Sequence, residues 1–204
     1  GVKSALEDAT ADAGYSLIPV SLPQKQADRH YRGFSNEVIW PLFHDLQTKC
    51  NFDPRYWETY QAVNRVFAEV TKEHTEPNDF IWIHDYHLLL AAMSLRQIGV
   101  TSPLGFFLHI PFPPLDIFLK LPWREQILRA LLYFDLIGFQ TLRDRRNFVQ
   151  CLKTLVPGST VRGRGQVFEI ETDFGRTRAG AFPISIDYQQ FENDASSHEV
   201  AKSA

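Results

Sequence analysis

An apolar run that breaks off into four polar or aromatic side chains constrains this chain most. Phe80-Ile-Trp-Ile-His84 reads as a strand buried on both faces. The run stops at His84, Asp85, Tyr86 and His87, then resumes in a helical pattern that ends at Gly99. Strand, polar turn and helix make the unit from which a parallel sheet with helices on both faces is built. In such sheets ligands bind beyond the carboxyl ends of the strands, which is where these four side chains fall. A second copy follows in Gly105-Phe-Phe-Leu-His109-Ile-Pro111-Phe-Pro113-Pro114.

The rest of the pattern extends this alternation. Tyr15–Leu22 reads as a short strand, irregular or at an edge because of Pro19. Pro23–Arg29 reads as a polar linker, and Ser35–Leu46 as a helix interrupted or restarted near Pro41. Asp53-Pro54 is a cap followed by a proline at the first helical position. Tyr56, Tyr60, Val63, Phe67 and Val70 then line one face of a long helix. Leu104–His109 is a strand, Leu121–Tyr133 contains a helix, and Asp135–Phe139 is a short apolar strand followed by Gln140. Thr141–Asp144 fits a capping box in front of a helix carrying Phe148, Cys151, Leu152 and Leu155. Gln166–Ile170 and Phe174–Arg178 read as a small hairpin, and Ala181–Ile186 as a last strand. The expected fold class is α/β: a Rossmann-like, mainly parallel sheet with helices on both faces and a β-hairpin near the C-terminus.

Composition narrows the function. The 204 residues are 44% hydrophobic and 22% charged, enough to bury a core. A net charge of −3 argues against nucleic acid as a partner. Cys50 and Cys151 lack metal-ligand spacing and read as reduced thiols of a cytoplasmic protein. Residues 1–14 carry no signal-peptide core, and no run reaches the roughly 18 apolar residues of a membrane span. Both ends read as cuts through a longer chain.

Asp85 has the strongest chemical case. A carboxylate just after a buried strand is costly unless it is hydrated, paired or holding a ligand, and a carboxylate can accept from two sugar hydroxyls at once. It fits equally well as a cap for the following helix. His84, Asp85 and His87 suggest a metal only on paper, because the turn sends their side chains in different directions; no metal is expected. His109 precedes a proline-stiffened loop, where a fixed imidazole donates to a hydroxyl or steadies charge, or else bonds to backbone. Tyr31 and Trp40 are candidates for packing on sugar C–H faces or for the core. Gln140, at a strand end, touches a ligand or caps. Arg143, Arg145 and Arg146 read as a solvated helix face, and Arg162-Gly163-Arg164-Gly165 as a loop.

Five stretches together resemble the trehalose-6-phosphate synthase family, retaining glycosyltransferases of family 20. They are Tyr31–His44, Ile81–Leu89, Gly105–Pro113, Asp135–Thr141 and Phe182–Asp187. The resemblance covers about residues 15–190 and implies the N-terminal half of a GT-B fold. Residues 1–187 would form an acceptor-binding domain and residues 188–204 the start of an interdomain linker. The family's first strand and glycine-rich loop are not found in residues 1–14.

The resemblance also implies an activity. Glucose passes from a nucleotide sugar, UDP-glucose, to glucose 6-phosphate, giving trehalose 6-phosphate without metal or other cofactor. Carried over by motif, Tyr31, Trp40 and Asp85 contact the acceptor and Tyr86 shapes its pocket. His109 lies near the donor sugar, and Gln140 lies near the acceptor. Asp85 and His109 are thus the candidate catalytic residues. Partners would be the nucleotide-sugar donor, the sugar-phosphate acceptor and a C-terminal nucleotide-binding domain, with self-association through an exposed apolar face. This stretch alone is expected to be inactive. Alternative readings are a glucosylglycerol-phosphate synthase-like transferase and a non-catalytic subunit of a trehalose-making complex.

Overall fold

The computed structural model describes residues 14–173 and 175–195. Six strands form one sheet in the order β1-β2-β3-β6-β5-β4. They are β1 (Ile81–His84), β2 (Leu104–Leu108), β3 (Leu136–Phe139), β4 (Thr160–Arg162), β5 (Val167–Thr172) and β6 (Gly175–Ala181). β1, β2, β3 and β6 run parallel, while β5 and β4 continue the sheet antiparallel. The mixed α/β architecture with a mainly parallel sheet matches the sequence reading.

The helices follow from the same periodicities. α1 (Gln24–Ala27) passes into a π-helical segment (Asp28–Ile39) and then α2 (Trp40–Phe43). α3 (Pro54–Glu73) starts at the foreseen cap: the Asp53 carboxylate accepts from Arg55 N at 2.8 Å. α4 (Ala91–Gln97), α5 (Leu115–Phe118), α6 (Arg124–Leu131), α7 (Leu142–Leu155) and α8 (Tyr188–Ala195) complete the set. The core joins Phe34, Val38 and Leu42 of the first helical stretch to Leu95, Phe106, Ile137 and Phe148. Among the described residues no helix is long and apolar enough to cross a membrane.

Several local expectations are corrected. Tyr15–Leu22 forms no strand: it pairs with none among the described residues, and Tyr15, Leu17 and Ile18 stay exposed. The supposed linker after Pro23 is helical. The helix restarts near Pro41, as read from the sequence: Pro41 lies in the first turn of α2, which follows directly on the π-helical segment. Gly33 matters on this segment, because a Cβ there would lie 2.7 Å from the Tyr56 ring; the glycine lets the two helices approach. The strand β1 is not buried on both faces. Ile81 and Ile83 are buried on one face of the sheet, but Trp82 and His84 are exposed on the other. Phe80, Trp82, Phe107, Phe182 and Ile184 line an apolar depression of about 380 Å³ on that side.

The C-terminal part also differs. The second hairpin strand is itself the fourth parallel strand, pairing Ala181 with Phe139. The expected strand Ala181–Ile186 therefore ends at its first residue. Phe182 N still donates to Phe139 O at 2.8 Å, but Pro183 has no N–H with which to continue the ladder. Strand β4 and the short helix α5 have no clear sequence signal. Residues 1–13, where the sequence lacks the family's first strand and glycine-rich loop, lie outside the described residues.

Thr141 caps α7 as the sequence predicts: its hydroxyl accepts from Asp144 N at 3.1 Å and donates to the Asp144 carboxylate at 2.5 Å. Thr141→Ala should lower the unfolding free energy by about 1 kcal/mol in urea titration, and Thr141→Ser should restore most of it. Equal stability of all three chains would contradict the capping role.

Candidate functional site

The polar turn after β1 is built around one strained residue. Asp85 has φ 66° and ψ 174°, a conformation that costs a non-glycine residue on the order of 1–3 kcal/mol. Bonds from the neighbouring strand hold it there. Asp85 N donates to Phe107 O at 2.8 Å. The carboxylate Oδ1 accepts from Tyr86 N at 3.0 Å and from His109 N at 3.3 Å. The capping reading of Asp85 is thus correct for the 3₁₀ turn Tyr86–Leu88. The same oxygen also ties the end of β1 to the end of β2. Oδ2 takes no hydrogen bond among the described residues, so it remains free to accept.

A buried polar scaffold from α3 and the π-helical segment fixes the loop from below. The Tyr60 hydroxyl donates to Tyr86 O at 2.7 Å and accepts from Leu89 N at 2.9 Å. Asn64 donates to His87 O at 3.3 Å and accepts from Leu90 N at 3.0 Å. His30 Nε2 contacts the same His87 carbonyl at 2.9 Å; a carbonyl only accepts, so the His30 proton sits on Nε2. Burial pushes the Tyr60 hydroxyl far above the usual phenol range. Burial likewise holds His30, His84 and His87 below the ordinary histidine value, and for His84 the adjacent His109 adds to this while Asp85 opposes it.

The π-helical segment supplies one side of the site. In an α-helix of 3.6 residues per turn, the spacing of Tyr31 and Trp40 puts them on opposite sides. In a π-helix, bonded from i to i+5 with roughly 4.4 residues per turn, the same spacing returns them to one side. Both rings are exposed, Tyr31 at 57% and Trp40 at 39%. Tyr31 stacks on His87 with centroids 5.5 Å apart. Asn36 accepts from the Tyr86 hydroxyl at 3.0 Å. The Trp40 ring packs on His44.

Contacts therefore join Tyr31, Asn36, His84, Asp85, Tyr86, His87 and His109. Trp40 and Gln140 stand apart from that network. Gln140 Oε1 accepts from Ile184 N at 2.9 Å and fixes the chain after β6. His84 and His87 diverge: His84 Nδ1 meets His109 Nε2 at 2.9 Å, whereas His87 packs between Tyr31 and Tyr86. Among the described residues no three His, Cys, Asp or Glu side chains are arranged so that they could hold a metal ion. Sequence reasoning missed Asn36 and the two-histidine contact. The i to i+5 spacing of Tyr31 and Asn36 was a signal for the first only if a π-helix was suspected.

Comparison with known proteins decides the family. The family model for glycosyltransferase family 20 matches residues 3–204. The chain belongs to glycosyltransferase family 20. A trehalose-6-phosphate synthase of Mycobacterium sp. (strain KMS) is 38% identical over all of this chain, which spans 42% of that relative. An α,α-trehalose-phosphate synthase (UDP-forming) from Burkholderia xenovorans, solved with glucose-6-phosphate, superposes with a TM-score of 0.82 at 33% identity. It covers 89% of this chain and 41% of its own. The trehalose-6-phosphate synthase of E. coli bound with UDP-2-fluoro glucose gives 0.80 at 36% identity, covering 89% of this chain and 40% of its own. The chain thus spans about two fifths of the length of these family 20 proteins, and the matched structures support a GT-B half.

Two measurements test how this family 20 site is held. Tyr60→Phe leaves a buried carbonyl and a buried N–H without their partner, so it should cost about 1–3 kcal/mol in urea unfolding; an unchanged chain would show that the hydroxyl does not support the loop. The second concerns pH. The folded chain holds His30, His84 and His87 below the ordinary value of 6.5, so the unfolded chain takes up protons first as pH falls. Their contribution to stability is intact above that value and is lost as pH drops through the window beneath it. The thermal midpoint should therefore fall between about pH 7.5 and about pH 5.5; a midpoint that holds or rises would contradict the burial of these rings.

Proposed function

We propose that this chain forms the acceptor-binding wall of a retaining glucosyltransferase that moves glucose from UDP-glucose to glucose 6-phosphate, giving trehalose 6-phosphate. One observation carries the proposal. At the carboxyl ends of β1 and β2, Asp85 keeps one carboxylate oxygen unbonded among the described residues, beside His109, Tyr86 and an exposed Tyr31. A preoriented carboxylate among aromatic faces and imidazoles suits a hydroxyl-rich ring. The two solved relatives described as bound to glucose-6-phosphate and to UDP-2-fluoro glucose support the choice of acceptor and donor.

In this reading acceptor hydroxyls donate to Asp85, and the Tyr31 and Trp40 rings pack on sugar C–H faces. Tyr86, oriented by Asn36, shapes the pocket, and Gln140 stands at its margin. The bond from the glucose anomeric carbon to the leaving phosphate breaks as the bond to the acceptor oxygen forms on the same face. The acceptor proton passes to the leaving phosphate, so no pair of catalytic carboxylates is needed. Residues 1–187 act as the acceptor domain and 188–204 begin the linker to a nucleotide-binding domain. In this reading the donor's diphosphate is held by that nucleotide-binding domain, so the 204 residues alone bind acceptor without turning over.

Calorimetric titration of the 204-residue chain checks this. Glucose 6-phosphate should bind saturably, glycerol 3-phosphate should bind more weakly, and Asp85→Asn should weaken the sugar phosphate by about tenfold or more. Asparagine has the shape of aspartate, and its Oδ1 can keep the bonds from Tyr86 N and His109 N that hold the turn. Equal affinity of the two chains, or preference for glycerol 3-phosphate, would overturn the assignment.

A further inference from the structure

His84 and His109 leave the ends of adjacent parallel strands, and the register of β1 and β2 pairs His84 with Phe107. His109, two residues further on, falls diagonally beside His84. Nδ1 of His84 lies 2.9 Å from Nε2 of His109, with the rings 22° from coplanar. Each ring is backed by an aromatic neighbour, Trp82 against His84 at 4.3 Å and Phe107 against His109 at 4.7 Å. The backbone of His109 is tied to the Asp85 carboxylate. Both the placement and the ring plane of His109 are therefore determined.

A contact of this length between two imidazoles needs one proton in it. Two protonated rings would bring two donors together, so at least one ring is neutral. The hydrogen bond at one ring nitrogen fixes what the other nitrogen can do. If His109 donates from Nε2, both rings keep the proton on Nε2, the form an isolated neutral histidine side chain favours. The reverse arrangement forces both into the less favoured form.

We propose that His84 is a positioning residue: it accepts from Nε2–H of His109 and locks His109 in one tautomer, leaving Nδ1 of His109 as an acceptor for a ligand hydroxyl. His109 Nδ1 has no partner among the described residues, as this requires. In this tautomer His109 Nδ1 accepts a hydrogen bond from a hydroxyl and offers no N–H to an oxyanion. The Asp85 carboxylate is the charged group that acts on the pair, through its bond from His109 N and its field at His84. Asp85 Oδ2 and His109 Nδ1 lack partners among the described residues and belong to residues joined by the bond from His109 N to Asp85 Oδ1, so both favour a ligand that carries hydroxyls. The use made of these acceptors in glucosyl transfer rests on the function proposed above; the tautomer lock does not.

Long-range ¹H–¹⁵N correlation of the ring nitrogens tests the lock in the 204-residue chain at about pH 8, above the histidine range. The native chain should show His109 as a single form protonated on Nε2. His84→Phe keeps an aromatic ring against Trp82 but removes the acceptor, so the Nδ1–H form of His109 should rise from below detection to a readily measured share. His84→Asn, whose amide oxygen stands near the place of Nδ1, should restore the single form. Unmoved His30 and His87 signals will show that the fold survives, as expected for an exposed position. A tautomer mixture or an Nδ1–H form in the native chain overturns the proposal, as does a single Nε2–H form that persists in His84→Phe. The spectrum uses no substrate, so its result is separate from the Asp85 titration that decides the glucosyltransferase reading.

Discussion

The bond set around Asp85 is the constraint on which the rest of the site depends. A residue at φ 66° would relax if nothing opposed it. Here the neighbouring strand opposes it twice, through Phe107 O on the Asp85 amide and His109 N on the carboxylate. These bonds join the last turn of one strand to the exit of the next. The strain is local, but its release would uncouple two strand ends. The carboxylate oxygen that is not used in this brace keeps its hydrogen-bonding capacity, with no partner among the described residues.

Rigidity under the loop comes from burial. Tyr60 and Asn64 are fully buried on α3, and each both donates to and accepts from the backbone of residues 86–90. In a low-dielectric interior such bonds gain strength, and breaking any one leaves a costly orphan group. The loop is thus fixed by a helix packed against it rather than by its own sequence. The π-helical segment adds the second side by the same logic. Its wider turn brings Tyr31 and Asn36 onto His87 and Tyr86, a juxtaposition no α-helical spacing provides.

How much of this was legible follows from the range of each cause. The strand ends were readable because an apolar run followed by polar groups is a local signal, and Asp85, Tyr86 and His109 fall there. Caps at Asp53 and Thr141 were readable for the same reason. The π-helix was not, because residues 28–39 carry apolar positions compatible with several periods and the choice between them is made by packing against Tyr56 and Tyr60. The role of Gly175–Ala181 as a parallel strand was hidden because its short, small residues carry little apolar signal; pairing with β3 decides it. The contact of His84 with His109 depends on register between strands, which no single-strand pattern contains. Trp40 and Gln140 were placed at the site by resemblance, and their contacts here are with His44 and Ile184.

The charge of the joined cluster adds a direction to the proposed binding. Its members are one carboxylate, two tyrosines, an asparagine and three histidines, two of which, His84 and His87, are held below their ordinary range. There is no lysine or arginine among them. A phosphate placed against Asp85 would meet a like charge at close range, which costs more as water is excluded. In the function proposed above, a sugar phosphate would therefore meet this wall with its hydroxyls toward Asp85 and its phosphate turned away. The brace that strains Asp85 thus does more than fix a turn: by leaving Oδ2 without a partner among the described residues, it offers the proposed ligand an acceptor.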